Sequence, residues 1–134
     1  MAGWEKHYPG MIEWLDPDTH GGIKSVNAAN MEIETDLDTF KADAASIVPA
    51  QRAGSIAMAA GVNDGDWCPI NPANMTAKAD DNIYVLGDAS MASSMPKSGF
   101  SANSQAKVAA NHIRGALTGS RVYEPRFANT CWSL

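Results

Sequence analysis

One apolar segment of the sequence ends on a carboxylate. The residues NIYVLGDAS, 82–90, run from four strand-forming side chains into Gly87 and Asp88. In open α/β sheets, ligands bind beyond the carboxyl ends of the strands, next to the amino ends of the following helices. A carboxylate there can accept hydrogen bonds from sugar or polyol hydroxyls, and Gly87 lets a ligand approach the backbone closely. The alternative is that Asp88 only caps a turn, because Gly-Asp is common in turns.

A cation and hydroxyl groups follow at the start of a predicted helix. The segment MPKSGFSANS, 95–104, contains Lys97, Ser98 and Ser101. Free N–H groups in the first turn of a helix, together with a lysine, favour negative charge, such as a reduced flavin carries near N1 and the C2 carbonyl. The alternative is that Ser98 or Ser101 caps the helix beside a solvated lysine. The residues alone leave both interpretations open.

The chain has two cysteines, Cys68 and Cys131, without C-x-x-C spacing or a neighbouring histidine cluster, so structural zinc is not expected. A disulfide beside a flavin can oxidise hydrosulfide: sulfide opens the disulfide, and the freed thiolate passes two electrons to the flavin. This chemistry requires two cysteines. The local sequence gives Cys68 no activating base or cation, which favours a buried structural thiol. An inert thiol is equally open for Cys131 when only the residues are considered.

The elements that would position these groups begin with a predicted antiparallel β-meander. In the third of its segments, MEIETD, apolar and acidic residues alternate as in a strand with one wet face, and the acidic run 32–38 is therefore interpreted as a solvated edge rather than a metal site. Turn residues fill 16–22 and 27–30. The four predicted strands lie within MIEWL (11–15), GIKSVN (22–27), MEIETD (31–36) and FKADAASIVP (40–49).

Two helices are predicted in the second half of the chain. The segment 52–60 is rich in alanine and is followed by Gly61, a residue suited to a left-handed helix end. After a loop at 63–81 with a brief extended piece at CPIN, the second helix starts near Phe100 and ends before Gly119. The predicted apolar faces are Ile56, Ala59 and Ala60 on the first helix, and Ala102, Ala106, Ala109, Ile113 and Ala116 or Leu117 on the second.

Composition and charge narrow the classes of partner. The 134 residues are 45% hydrophobic, enough for one domain, and the net charge is -5, with basic residues scattered singly. The sequence therefore lacks the clusters of basic residues that are typical of proteins that bind nucleic acid or an anionic membrane. No apolar run approaches the ~18 residues of a membrane span, and the first ten residues lack the apolar core of a signal peptide. The histidines His7, His20 and His112 have no evident partner and are expected at the surface.

The segment 80–113 resembles the second flavin-binding segment of the disulfide reductase superfamily, in which a strand ending in Gly-Asp leads into a flavin-facing helix. More narrowly, MPKSGFSANSQ with KVAAN, preceded by YPGMIEWL and followed by ANTCWSL, resembles the flavoprotein subunit of flavocytochrome c sulfide dehydrogenase. The similarity spans nearly the whole chain. Sulfide:quinone oxidoreductase is a near relative with a shorter Pro-Lys-x-Gly match.

The resemblance implies a role for each matching residue. Asp88 would bind the ribityl chain of FAD, and Gly87 would give room for it. Met95, Pro96 and Lys97 would lie along the isoalloxazine ring, and the helix from about Ser101 would direct its dipole at the pyrimidine end. Cys131 would be one of the two cysteines of a redox-active disulfide, whose partner is not in this chain.

The resemblance also implies the fold class, an α/β partial Rossmann-like FAD/NAD(P)-binding domain with a small antiparallel β-meander, a strand and a flavin-facing helix. Residues 1–66 would end the second dinucleotide-like domain, 67–120 would return to the FAD domain, and 121–134 would begin a C-terminal interface domain. The Gly-x-Gly-x-x-Gly turn that holds the FAD pyrophosphate is not found in the sequence. The sequence therefore predicts a fragment that is inactive alone and is stabilised by a partner chain or by self-association.

The implied function is oxidation of sulfide through the disulfide and FAD, with electrons passed to a c-type cytochrome subunit in the periplasm. The remaining N-terminal flavoprotein segment would be a second partner. Neither a metal nor a nucleic acid is expected. Two alternatives stay open, namely a non-catalytic partial Rossmann-like assembly module and a quinone-linked sulfide oxidoreductase.

Overall fold

The computed structural model describes residues 2–130, which form two compact units. The first unit ends at Pro49 and the second begins at Ala50. Each is described by itself below. The assignment of 1–66, 67–120 and 121–134 to parent domains stays a prediction.

The first unit is built on a three-stranded antiparallel sheet. Its strands are β1 (Ile23–Asn27), β2 (Glu32–Thr35) and β3 (Thr39–Lys41), with β2 in the centre. Val26, Ile33 and Phe40 lie opposite one another across the three strands. The predicted antiparallel meander is confirmed for these strands, but the acidic strand is central rather than at an edge.

The predicted first strand, residues 11–15, is wrong. Helix α1 (Ala2–His7) precedes this segment and helix α2 (Pro17–His20) follows it, and within residues 2–130 no strand pairs with it. The helix start at Asp16 explains the difference, because the Asp16 carboxylate accepts the N–H of Asp18 at 2.9 Å and Pro17 occupies the first helical position. Trp14 is exposed, with its ring centroid 6.5 Å from that of Trp4.

The last predicted strand, 40–49, is much shorter than expected. Strand β3 pairs with β2 only from Thr39 to Lys41. The N–H of Ala42 still donates to the carbonyl of Met31 at 3.0 Å, but β2 begins at Glu32 and offers no further partner. The ladder ends because the neighbouring strand ends.

His20 has neighbours that the sequence did not reveal. Its Nδ1 lies 3.9 Å from a carboxylate oxygen of Asp38, and its ring meets the ring of Phe40 edge-on at 6.1 Å between centroids. A separation of 3.9 Å is too long for a hydrogen bond, and within residues 2–130 none reaches His20 Nδ1. The expected surface position is wrong in a different respect, because His20 is half-buried.

The second unit buries two neighbouring apolar clusters. It contains α3 (Ser55–Ala59), the two-residue strands β4 (Cys68–Pro69) and β5 (Ser90–Met91), and the long helix α4 (Gly99–Thr118). Strands β4 and β5 pair in parallel. The first cluster is formed by Ala53, Ala57, Val62, Cys68 and Ala77, and the second by Ile70, Met75, Val108 and Ala109.

The predicted strand at 83–86 is an extended segment with one isolated bridge, between Tyr84 and Thr76. Two backbone hydrogen bonds fix it, from Ala77 N–H to the Ile83 carbonyl at 2.7 Å and from Val85 N–H to the Met75 carbonyl at 3.0 Å. It is held by a loop rather than by strands on both sides. The fold is mixed α/β with small sheets, and the structure does not confirm a Rossmann-like arrangement.

Helix α4 has the predicted length, and Gly119 ends it with φ +67°. Its predicted apolar face is wrong, because Ile113 and Leu117 are exposed and only Ala109 of the predicted stripe is buried. The buried residues are Ser101, Ser104, Gln105, Val108, Ala109 and Gly115. The polar members can be buried because each makes hydrogen bonds.

Helix α3 likewise presents a different face from the predicted one. Ala57 is buried, whereas the side chain of Ile56 is 83% exposed.

Among the helices of residues 2–130, none is long and apolar enough to cross a membrane. The same residues contain no cluster of three histidine, cysteine or acidic side chains suited to a metal ion.

The burial of Met75 predicts a large stability effect. Met75 is fully buried, so Met75→Ala should lower the free energy of unfolding by about 2–5 kcal/mol through lost transfer free energy and a cavity. Ile56→Ala in the same unit removes an exposed side chain and should change it by less than about 0.5 kcal/mol. Chemical denaturation measures both values, and equal losses would contradict this description of the core.

The pair between Lys24 and Glu34 predicts a pH effect in the sheet. Lys24 Nζ lies 2.7 Å from Glu34 Oε1, and the Ser25 hydroxyl donates to Oε2 at 2.8 Å. These hydrogen bonds, with the lysine charge, lower the pKa of Glu34 below its usual value. A carboxyl group with a lowered folded-state pKa stabilises the fold above its unfolded-state pKa, and the contribution is lost as the pH falls.

Lys24→Met should raise the pKa of Glu34 toward about 4.3, the ordinary value of a glutamate. An NMR titration of the Glu34 carboxyl carbon measures this change. Lys78→Met, in the other unit, is the control and should leave the titration unaltered. An unchanged Glu34 pKa in Lys24→Met would show that the pair does not form in solution.

Candidate functional site

The Gly87–Asp88 turn lies at the amino-terminal half of α4. Residues Gly87–Ala89 form one turn of 3₁₀-helix, and Gly87 has φ +71°, which a glycine adopts without strain. Its N–H donates to Gln105 Oε1 at 2.7 Å, and its carbonyl accepts the Ser90 hydroxyl at 2.8 Å. Both backbone groups of Gly87 are thus fixed.

Asp88 is exposed on this turn. From residues 2–130, no hydrogen bond or ion pair reaches its carboxylate. The alternative that this side chain caps the turn therefore finds no support, and its oxygens are available to hydroxyl groups of a ligand.

The amino end of α4 is capped by Ser98. Its hydroxyl oxygen accepts the N–H of Ser101 at 3.1 Å, and its carbonyl accepts the N–H of Ala102 at 2.9 Å. This confirms the cap that the sequence offered as an alternative. The N–H groups of Gly99 and Phe100, in the first turn, have no partner within the helix because of helical geometry.

Lys97 is exposed, but its ammonium also contacts the protein. Its ammonium donates to the backbone carbonyls of Asp88 and Ser90, the latter at 3.1 Å. It also lies 3.6 Å from the centroid of the Trp67 ring, in a cation–π contact. Lys97 therefore ties the 88–90 segment to Trp67, and a contact with a flavin would need the ammonium to share or leave these partners.

Cys68 lies beside this lysine. The side chain is completely buried, as the sequence predicted for a structural thiol. Burial raises the pKa of the Cys68 thiol, and the positive charge of Lys97 opposes that shift. The nearby cation was not visible in the local sequence, because it comes from a segment about thirty residues away.

Ser101 faces the C-terminal segment of the chain. Asn129 Oδ1 accepts the hydroxyls of Ser98 at 2.6 Å and Ser101 at 3.1 Å. The Ser104 hydroxyl donates to the Ser101 carbonyl at 2.8 Å and lies 3.2 Å from the Ala128 carbonyl. Asn129 was not assigned a role from the sequence, although it lies in ANTCWSL, one of the segments that carry the resemblance. Cys131, the predicted redox cysteine, lies outside the described residues.

The two remaining predicted residues differ in exposure. Met95 is half-buried, and its thioether sulfur lies 3.7 Å from Gln105 Nε2. Pro96 is exposed. The structure thus brings Gly87 and Met95 together through Gln105, a residue that the sequence analysis did not assign to the site.

His112 has a hydrogen-bond partner, contrary to expectation. Its Nδ1 lies 2.8 Å from the hydroxyl of Tyr84, the residue that bridges to Thr76. This contact joins the extended segment before the Gly87–Asp88 turn to α4. Positions 28 residues apart gave no sequence signal for it.

Basic residues that are scattered in the sequence line one groove beside α4. The groove has a volume of about 640 Å³, and Lys107, Arg121 and Arg126 contribute to its wall together with Tyr123. Arg114 fixes one side by donating to the carbonyl of Arg121 at 2.8 Å. Glu124 also lines this groove, so three basic side chains and one acidic side chain that are scattered in the sequence come together there.

Residues 1–49 match the family model for the central region of the flavoprotein chain of sulfide dehydrogenase (flavocytochrome c). The match confirms, for these residues, the resemblance found in the sequence to a fragment of the flavoprotein chain of flavocytochrome c sulfide dehydrogenase. The matched residues form the first unit, so the roles of Gly87, Asp88, Met95, Pro96, Lys97, Ser101 and Cys131 stay predictions.

The contact between Lys97 and Trp67 predicts an effect on the thiol of Cys68. In a Cys131→Ser background, Cys68 is the only thiol, and its pKa should lie above about 8.5, the ordinary value of a cysteine. Lys97→Met removes the opposing charge and should raise it further. A group with a raised folded-state pKa stabilises the fold fully below its unfolded-state pKa, so stability should fall as the pH rises above that value.

Thiolate absorbance measured against pH reads this pKa directly. Lys107→Met, which lies along α4 in the basic groove, serves as the matched control and should leave the Cys68 titration unaltered. A Cys68 pKa at or below the ordinary value would contradict the described burial.

Proposed function

We propose that the chain supplies the flavin-facing part of a sulfide dehydrogenase and binds the ribityl chain of FAD at the Gly87–Asp88 turn. The observation that carries the proposal is the exposed Asp88 carboxylate, held on a fixed turn against the amino-terminal half of α4. The family match over residues 1–49 supports the flavin class.

The residues of the turn fit FAD chemically. Asp88 presents oxygen acceptors without a described partner, and these suit the hydroxyls of a ribityl chain. A Cβ on Gly87 would lie 3.5 Å from the Cβ of Ala102, which is an ordinary contact. The turn therefore needs glycine for its left-handed φ and not because a side chain would be crowded. The fit therefore rests on the conformation of the turn and on the free carboxylate.

Helix α4 supplies the electrostatic part of the proposal. The N–H groups of Gly99 and Phe100 and the positive end of the dipole of this 20-residue helix favour negative charge at its amino end. Met95 and Pro96 precede this end and would lie along the ring, with Lys97 beside them. FAD, when bound, supplies a two-electron acceptor for sulfur chemistry.

The sulfur side of the proposal rests on Cys131. As part of a redox-active disulfide, Cys131 or its partner cysteine would be attacked by hydrosulfide, which breaks the S–S bond and leaves a persulfide on one cysteine and a thiolate on the other. When the disulfide re-forms, the outer sulfur would leave as zero-valent sulfur, and FAD, when bound, would accept the two electrons. Asn129, bound to Ser98 and Ser101, lies two positions before Cys131 in the sequence. The second cysteine would come from the N-terminal flavoprotein segment, and the electrons would pass to a c-type cytochrome subunit in the periplasm.

FAD binding at useful affinity would require that N-terminal segment, because the pyrophosphate-binding Gly-x-Gly-x-x-Gly turn is not found in this sequence. The chain is therefore proposed to act in a complex with this segment. Alone, it would be inactive, and its sheet edges would favour self-association.

Asp88→Ala should weaken FAD binding by the chain when it is purified with its N-terminal flavoprotein segment. Loss of a hydrogen-bonded carboxylate corresponds to about 1.5–3 kcal/mol, or roughly a 10–150-fold higher Kd. Titration with FAD, followed by flavin fluorescence, measures this change.

Asp81→Ala removes another exposed carboxylate of the same unit and is the matched control. It should leave the Kd within about twofold of the parent protein, since it keeps the turn intact. Equal effects of Asp81→Ala and Asp88→Ala, or no effect of either, would reject Asp88 as the ribityl ligand.

A further inference from the structure

A single buried amide connects the two predicted sides of the flavin site. Gln105 is 2% exposed, one turn along α4 from Ser101. Its Oε1 accepts the N–H of Gly87 at 2.7 Å, and its Nε2 lies 3.7 Å from the sulfur of Met95. The Gln105 side chain therefore contacts both the turn that is proposed to bind the ribityl chain and Met95, which is proposed to lie along the flavin ring.

The contact with Gly87 is the stronger of the two. The distance of 2.7 Å from the Gly87 nitrogen to Gln105 Oε1 indicates a well-formed hydrogen bond. The contact of Gln105 Nε2 with Met95 is weaker because a thioether sulfur is a weak acceptor. The Ser90 hydroxyl holds the Gly87 carbonyl, so the amide oxygen of Gln105 completes the fixation of this residue. Without it, the partly buried N–H of Gly87 would lose its partner.

We propose that Gln105 is a positioning residue for the flavin, because its amide fixes the Gly87–Asp88 turn relative to Met95. This inference rests on the proposed function of the turn. Gln105 touches neither the substrate nor the ring in this account; it acts through Gly87 and Met95. A change in its amide should therefore alter both the affinity for FAD and the environment of the ring.

A purely structural role for Gln105 makes a different prediction. In that case its loss would lower stability and leave the bound flavin unchanged. Val108 offers a matched comparison, because it is buried on the same helix and packs in the second apolar cluster. Val108→Ala should lower stability without a direct effect on Gly87 or Met95.

The test uses Gln105→Leu, Gln105→Glu and Val108→Ala in the chain purified with its N-terminal flavoprotein segment and FAD. Gln105→Leu keeps the size but removes both polar contacts, so the Kd for FAD should rise about 5–100-fold and the visible flavin spectrum should shift. Gln105→Glu keeps an oxygen acceptor for Gly87 but buries a carboxyl group, so it should weaken FAD binding less than Gln105→Leu does. Val108→Ala should leave the Kd and the spectrum unchanged.

The outcomes separate this inference from the function on which it rests. If the parent protein does not bind FAD, the proposed function fails and the inference fails with it. If the parent binds FAD but Gln105→Leu has the same Kd and spectrum, only the positioning role is overturned. If Gln105→Leu and Val108→Ala weaken FAD binding equally, Gln105 contributes to stability alone and the proposal is wrong.

Discussion

The second unit depends on the burial of a polar face of α4. Ser101, Ser104 and Gln105 are removed from solvent, and each must be hydrogen-bonded because an unpaired buried polar group costs about 1–3 kcal/mol. Gln105 pairs with the N–H of Gly87, and Ser101 donates to Asn129 of the C-terminal segment. The Ser104 hydroxyl donates to the Ser101 carbonyl at 2.8 Å within the helix and lies 3.2 Å from the Ala128 carbonyl. This requirement brings the turn with Asp88 and the segment before Cys131 to the same helix.

The local elements of the site were predictable from the sequence, but their contacts were not. The bounds of α4 and its end at Gly119 follow from local composition, and so does the turn at Gly87. The buried face could not be read from apolar spacing, because it is formed by serines and a glutamine whose burial depends on distant partners. For the same reason the sequence suggested neither Gln105 nor Asn129 as part of the site.

In the first unit, too, the sequence predicted the local elements but not all of the strand pairing. Alternation and turn residues predicted the three-stranded meander, but pairing decided which residues joined it, and residues 11–15 found no partner in the described structure. The Asp16–Pro17 helix start prevailed over strand propensity there. The family match lies in this unit, over residues 1–49, whereas the candidate site lies in the second unit, so the roles of the site residues remain a proposal.

The central claim is that this chain holds a flavin at Asp88 and the amino end of α4. The most direct measurement is the visible absorption spectrum of the chain co-purified with the proposed N-terminal flavoprotein segment and supplied with FAD. The account predicts a flavin band at about one FAD per complex, which is lost when the second unit, residues 50–134, is deleted. A colourless complex, or a flavin band that survives the deletion, would contradict it.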